Sequence, residues 1–149
     1  MTKNATPAHA RRSTIRRCRS SDVAAVLDLW KRTGIAPSVT DSAPAIRRRL
    51  RFDDRLFYLA WDGTRLVGSL IGGWDGWRGS MARLAVDPEY RRHGIAQALV
   101  QRVEKKLRAL GAIRISAIVL ENNARGRAFW SAADYQIDGG SLRYIKDLR

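Results

Sequence analysis

The sequence predicts one mixed α/β domain, a single mostly antiparallel sheet flanked by helices. Three observations predict it. Segments of alternating and helical periodicity follow one another as a hairpin, a third strand, a long helix, a strand, a short helix and two closing strands. Ile113 to Leu120 is almost uninterruptedly apolar, the pattern of a strand covered on both faces. The chain has 149 residues, 45% of them hydrophobic, which is about one domain's worth. One Cys excludes an internal disulfide framework, and no Cys/His pairing suits zinc. No window approaches the ~20 apolar residues of a spanning helix, so no membrane role is expected.

Residues 1–13 are polar and basic and read as a disordered lead; residues 14–149 form the domain. Arg11-Arg12 precedes no apolar stretch, so no export signal is expected and the location is read as cytoplasmic. Thr14 to Cys18 is a short strand. Ser20-Ser21-Asp22 offers an N-cap. Val23, Val26, Leu27 and Trp30 then fall on one helical face, and Gly34 stops the helix. A second helix runs from about Ser42 to Arg51, with Pro44 in its first turn and Ile46 and Leu50 inward.

Leu56 to Trp61 and Leu66 to Gly73 form a hairpin about Asp62-Gly63. A Gly/Trp-rich loop from Trp74 to Gly79 leads to the strand Met81 to Val86, ended by Asp87-Pro88. A long helix spans Ile95 to Leu110, with Ile95, Leu99, Val103 and Leu107 at helical spacing and Gly111 closing it. The strand Ile113 to Leu120, a helix from about Asn123 to Ala133, and strands near Tyr135–Ile137 and Leu142–Lys146 complete the order.

The chain carries 28 Lys+Arg against 14 Asp+Glu, a formal charge of +14, spread along its length and mostly Arg. Such a surface attracts polyanions: nucleic acid, anionic membrane or a phosphorylated small molecule. No basic stripe interleaved with aromatics and no recognition helix supports nucleic-acid readout. The informative stretch is Leu84-Ala85-Val86-Asp87-Pro88-Glu89-Tyr90-Arg91-Arg92-His93-Gly94-Ile95-Ala96. A strand ends, a loop turns, and a helix begins at small residues. The free N–H groups of a helix N-terminus suit a phosphate or pyrophosphate. Gly94 permits close approach, Ala96 leaves the backbone uncovered, and Arg91 and Arg92 add charge. There is no Gly-Lys-Ser/Thr, so magnesium-nucleotide chemistry is unsupported.

From Thr14 to Lys146 the chain resembles the GCN5-related N-acetyltransferases (GNAT), particularly small stand-alone bacterial members. The family marker Arg/Gln-x-x-Gly-x-Gly/Ala is matched by Arg91 to Ala96, after the Leu84-Ala85-Val86-Asp87-Pro88 strand end. The Ile15-Arg16 strand with its Asp22-led helix and Leu29-Trp30, and the later Asn123 to Tyr135 segment, resemble the family too. Gly73-Trp74-Asp75-Gly76 resembles a loop of those bacterial members.

The resemblance implies acetyl-CoA as co-substrate, lying where the Met81–Val86 and Ile113–Leu120 strands splay apart. The pyrophosphate would sit on the amides of Arg91, Arg92, His93, Gly94, Ile95 and Ala96. The pantetheine would pair near Leu84 and Val86, and a backbone N–H of Leu84 or Ala85 would act as oxyanion donor. Asn123 and Trp130 would adjoin the cofactor. An amine acceptor would attack directly, with no covalent acetyl-enzyme. Trp30, Trp74 and Asp75 are the acceptor-side candidates, the indoles through cation–π contact and Asp75 through an ion pair. The resemblance implies no metal and leaves a homodimer open.

The family's Leu-Gly-Phe is Ala133-Asp134-Tyr135 here and its Ala three residues after the Asn is Gly126, and two catalytic positions depart as well. Trp130 stands where many members have the Tyr that protonates the leaving thiolate, and an indole cannot serve as that acid. Ser131, Tyr135 and Tyr144 are the alternatives, Tyr135 being the one assigned. Arg83 stands where many members carry a Glu base, and Arg is a poor base. These departures keep a second reading alongside the enzyme: a non-catalytic acetyl-CoA sensor or adaptor with a basic surface for an acidic partner.

Overall fold

The computed structural model describes residues 13–148, so most of the expected basic lead lies outside the described residues. The chain divides into two compact units, Met1–Ser116 and Ala117–Arg149.

In the first unit, β1 (Thr14–Arg17) leads through a short turn into α1 (Val23–Thr33), and α2 (Ala43–Phe52) follows. β2 (Phe57–Asp62), β3 (Arg65–Trp74) and β4 (Gly79–Val86) form a meander, followed by α3 (Ile95–Leu110) and β5 (Ile115–Ala117), whose last residue is the first of the second unit. The sheet order is β1-β2-β3-β4-β5, with the first three pairings antiparallel.

The local signals act as their chemistry requires. Gly34 ends α1 at φ 69°, a conformation that Gly adopts without a Cβ penalty. The Ser42 hydroxyl accepts from the Ala45 amide at 3.3 Å and caps α2. Asp22 differs from expectation. Its carboxylate makes no cap bond to α1; it takes the Arg19 amide at 2.8 Å and two bonds from Arg16 at 2.7 and 3.0 Å. A two-pronged guanidinium is the stronger partner.

One face of the sheet is covered by α1 and α2. Val26, Leu29, Trp30, Ile46, Phe57 and Leu59 are buried together there, with Cys18 among them. The other face is covered by α3 through Ile95, Leu99, Val103 and Leu107. Because both faces are covered, Phe57, Tyr58, Leu59 and Ala60 are buried in unbroken succession. α3 lies close to β3 because two strand positions lack a side chain. A Cβ on Gly68 would lie 2.9 Å from Ile95, and one on Gly72 would lie 2.6 Å from Val103.

β5 is only three residues long, against the eight expected, and Ile113, Ile118 and Leu120 are exposed. In the second unit, α4 (Ala124–Ala132) is capped by Asn123, whose side chain accepts from the Gly126 amide at 2.9 Å. The two closing strands do not form: residues 134–148 hold neither helix nor strand. Alternation becomes a strand only where a neighbouring edge offers partners for its backbone groups. Without them β5 is an edge, and its apolar flanks face solvent.

Candidate active site

β4 is interrupted at its centre. Ser69 faces Ala85 and Ile71 faces Ala82, so Leu70 alone opposes both Arg83 and Leu84. This is a β-bulge, and Arg83 adopts φ 57° to make it. A side chain in that region costs about 1–2 kcal/mol, so the surroundings must hold it. The Ser69 hydroxyl donates to the Arg83 carbonyl at 2.9 Å, and Trp30 Nε1 donates to the Ser69 hydroxyl at 2.9 Å. The Arg83 guanidinium donates to the Ala36 carbonyl at 2.8 Å and pairs with Asp41 at 3.0 Å.

The carbonyl of Arg83 and the N–H of Leu84 belong to one trans peptide and point in opposite directions. Fixing the carbonyl on Ser69 therefore aims the Leu84 N–H away from it. The neighbouring ladder is regular. Asp87 donates to the Val67 carbonyl at 2.8 Å, and antiparallel alternation turns the N–H of Ala85 toward Ser69 and that of Val86 to the opposite edge.

Beyond β4 the loop is pinned from beneath. Asp87 is 2% exposed and accepts from the Glu89 amide at 3.0 Å, from Arg65 at 2.9 Å and from Arg32 at 3.2 Å. Burial pushes its carboxyl up, yet these donors together hold it below the usual carboxylate range. Tyr90 donates to Asp62 at 2.6 Å, and Arg91 reaches the Thr33 carbonyl at 3.5 Å. Arg92, His93 and Gly94 are left exposed. Gly94 takes φ 75° and opens α3 without a side-chain cap. The first intrahelical bond is Ala98 N–H to the Gly94 carbonyl. The amides of Ile95, Ala96 and Gln97 precede it, at the positive end of a 16-residue helix. Ile95 itself turns its side chain into the core, while Ala96 is half-buried.

Against the bulge, α1, α2 and the sheet border a half-open cavity of about 460 Å³ lined by Trp30, Asp41, Arg48, Arg49 and Arg83 among others. Trp30 is thus both core and cavity wall, at 4% exposure. Trp74 and Asp75 lie elsewhere, at the β3–β4 turn. Asp75 accepts from the amides of Trp77 at 2.8 Å and Arg78 at 2.6 Å, which shape the turn and hold its carboxyl low. In the second unit, Trp130 packs edge-on against Tyr135, with ring centroids 4.7 Å apart. Asn123 caps α4.

Sequence reasoning missed Ser69 and Asp41. For Ser69 a signal was present: a lone hydroxyl inside Leu66 to Leu70 must find a partner. For Asp41 there was none, and the cavity-lining Arg48 and Arg49 belong to a run, Arg47-Arg48-Arg49, that reads from sequence as a solvated helix face with an anion role as the alternative.

Among the described residues no cluster of His, Cys, Asp and Glu could hold a metal ion, and no helix is long and apolar enough to cross a membrane. Residues 23–135 match the Acetyltransferase (GNAT) family. An acetyltransferase of Pectobacterium atrosepticum is 39% identical over 122 residues, covering 82% of this chain and 86% of that protein. One from Photorhabdus laumondii is 43% identical over 109 residues, covering 73% and 76%. Among solved structures, Ard1 from Thermoplasma volcanium superposes with a TM-score of 0.77 at 20% identity, covering 85% of this chain and 84% of that one. The PaiA N-acetyltransferase of Thermoplasma acidophilum, solved with coenzyme A, superposes at 0.72 and 18% identity, covering 82% and 88%. A match across most of the chain, on this sheet with its bulged fourth strand and Gly94-opened helix, places the protein in the GNAT acetyltransferase family of enzymes.

Proposed function

We propose that the protein moves an acetyl group from acetyl-CoA directly to a primary amine. The observation that carries this reading is the pairing of the β4 bulge with the uncapped start of α3, joined by a pinned loop. Acetyl-CoA supplies an activated thioester and a pyrophosphate. The amides from Arg91 to Ala96 suit that pyrophosphate, since they lie at a positive helix end with Arg91 and Arg92 beside it. Gly94 leaves the approach open: a Cβ there would meet nothing within 4 Å.

The Leu84 N–H is the oxyanion donor, because the ladder turns that of Ala85 toward Ser69. The amine lone pair forms the new C–N bond, the C–S bond breaks, and the amine proton leaves as the thiol is released. A thiolate with a pKa of about 8.5 departs without a strong acid. The buried Cys18 takes no part. Burial pushes its thiol up to about 12, leaving a small core residue.

Calorimetric titration with acetyl-CoA, followed by thiol release over an amine and peptide panel, tests the reading. Saturable binding with turnover is expected. Binding with silence across the panel would leave a non-catalytic acetyl-CoA protein, and absence of binding at millimolar ligand would sink both readings.

A further inference from the structure

Resting on the transferase reading, we infer that the cavity beside the bulge takes an acceptor that carries its own anion: a small primary amine bearing a carboxylate or phosphate and an apolar body. The cavity belongs to the reaction centre by its wall, because Arg83, the bulged residue, lines it. Its volume of about 460 Å³ falls in the range of small-molecule pockets.

Its charge is one-sided. Arg48, Arg49 and Arg83 face it against one acid, Asp41, and that acid is already held by Arg83 at 3.0 Å and by the Ser38 amide at 2.9 Å. Arg49 is half-buried and donates to neutral groups, the carbonyls of Asp53 and Gly72. Burial lowers its pKa, and the nearby Asp53 carboxylate, itself bonded to Arg55, opposes this only in part. Arg48 is exposed at the rim.

A primary amine arrives largely as an ammonium. A cavity with surplus guanidinium repels it unless the same molecule brings a negative group to meet those donors. Arg presents a planar fork that matches a carboxylate or phosphate. Further walls, Ile46, Phe57 and Ile71, ask for an apolar body beside the anion and the amine.

The test is thiol release with L-phenylalanine, L-leucine and 6-aminohexanoate, each against its own amide, with spermidine as the cationic extreme. An amino amide holds more free amine at neutral pH than its acid, so a preference for the acid cannot come from amine supply. At least one acid is expected to exceed its amide about tenfold in kcat/KM, since a site built for a charged partner discriminates strongly against an analogue lacking it. Arg48→Gln, at an exposed position that spares the fold, should bring that ratio toward one. Amides or spermidine turned over as well as the acids, no acid turned over, or a ratio untouched by Arg48→Gln would each overturn the inference. Parallel calorimetry with acetyl-CoA separates the two levels. Binding with amides preferred overturns only the acceptor class, whereas no binding overturns the transferase reading as well.

Discussion

The hydroxyl of Ser69 donates to the carbonyl of Arg83 at 2.9 Å and is itself held from behind by the indole N–H of Trp30 at 2.9 Å. Ser69 is fully buried. Three elements, α1, β3 and β4, therefore meet at one oxygen atom, and that atom sets the orientation of the Arg83–Leu84 peptide.

Ser69→Ala removes the shared oxygen and leaves the Trp30 N–H and the Arg83 carbonyl without it. Stranding a buried polar group costs about 1–3 kcal/mol. Urea denaturation should show a loss of that order. Turnover should fall more than acetyl-CoA affinity, because the bulge peptide is misaligned while the start of α3 is untouched. An unchanged kcat would show that the bulge holds itself.

Gly94→Val tests the start of α3 through backbone conformation alone. Nothing lies within 4 Å of a Cβ at this position, so the cost arises from φ 75°. A β-branched side chain is poorly tolerated there, and about 1–2 kcal/mol is a lower bound. The first turn should shift and acetyl-CoA should bind at least tenfold more weakly by calorimetry. Unaltered affinity would place the pyrophosphate elsewhere.

Asp22 and Arg16 make a two-pronged pair at the foot of β1, with the Asp22 side chain 7% exposed. The Arg16 hydrogen bonds lower the Asp22 pKa below 3.8, outweighing burial. A depressed carboxylate contributes stability that is present above its unfolded value and lost as pH falls through the folded one. Thermal midpoints of the parent should therefore drop on acidification below about pH 4. Asp22→Asn should be less stable near neutral pH and should lose less on acidification. Parallel curves for the two proteins would remove Asp22 from the account.

Cys18 is 3% exposed, and its thiol is pushed up to about 12 by burial. At pH 8 the native protein should react with a thiol reagent only on the timescale of unfolding, and promptly in denaturant. Rapid labelling of the folded protein would contradict its core position.

Legibility in the sequence followed how local each feature is. The 3.6-residue spacing of Ile95, Leu99 and Val103, bounded by Gly94 and Gly111, predicts α3, and the structure places it at Ile95–Leu110. The Asp62-Gly63 signal predicts the β2–β3 reversal, and Gly63 adopts φ 58° there. Strands whose existence depends on a distant edge were less legible. Ile113 to Leu120 has the composition of a buried strand yet forms three residues of ladder, and Leu142 to Lys146 forms none.

By itself the sequence determined the helices, the hairpin, the strand–loop–helix unit from Leu84 to Ala96, and with that unit the family. These rest on periodicity and on glycines whose required φ is a property of one residue. Only the tertiary structure decided where β4 bulges, what holds it, and which charges surround the cavity. Trp30, Asp41, Ser69 and Arg83 come from separate parts of the chain, and the 2.9 Å hydrogen bonds and the 3.0 Å ion pair between them exist only once α1, α2 and the sheet have packed. Arg83 reads from sequence as a poor base. In three dimensions it is the residue that bends the strand, ties down Asp41 and helps set the sign of the pocket.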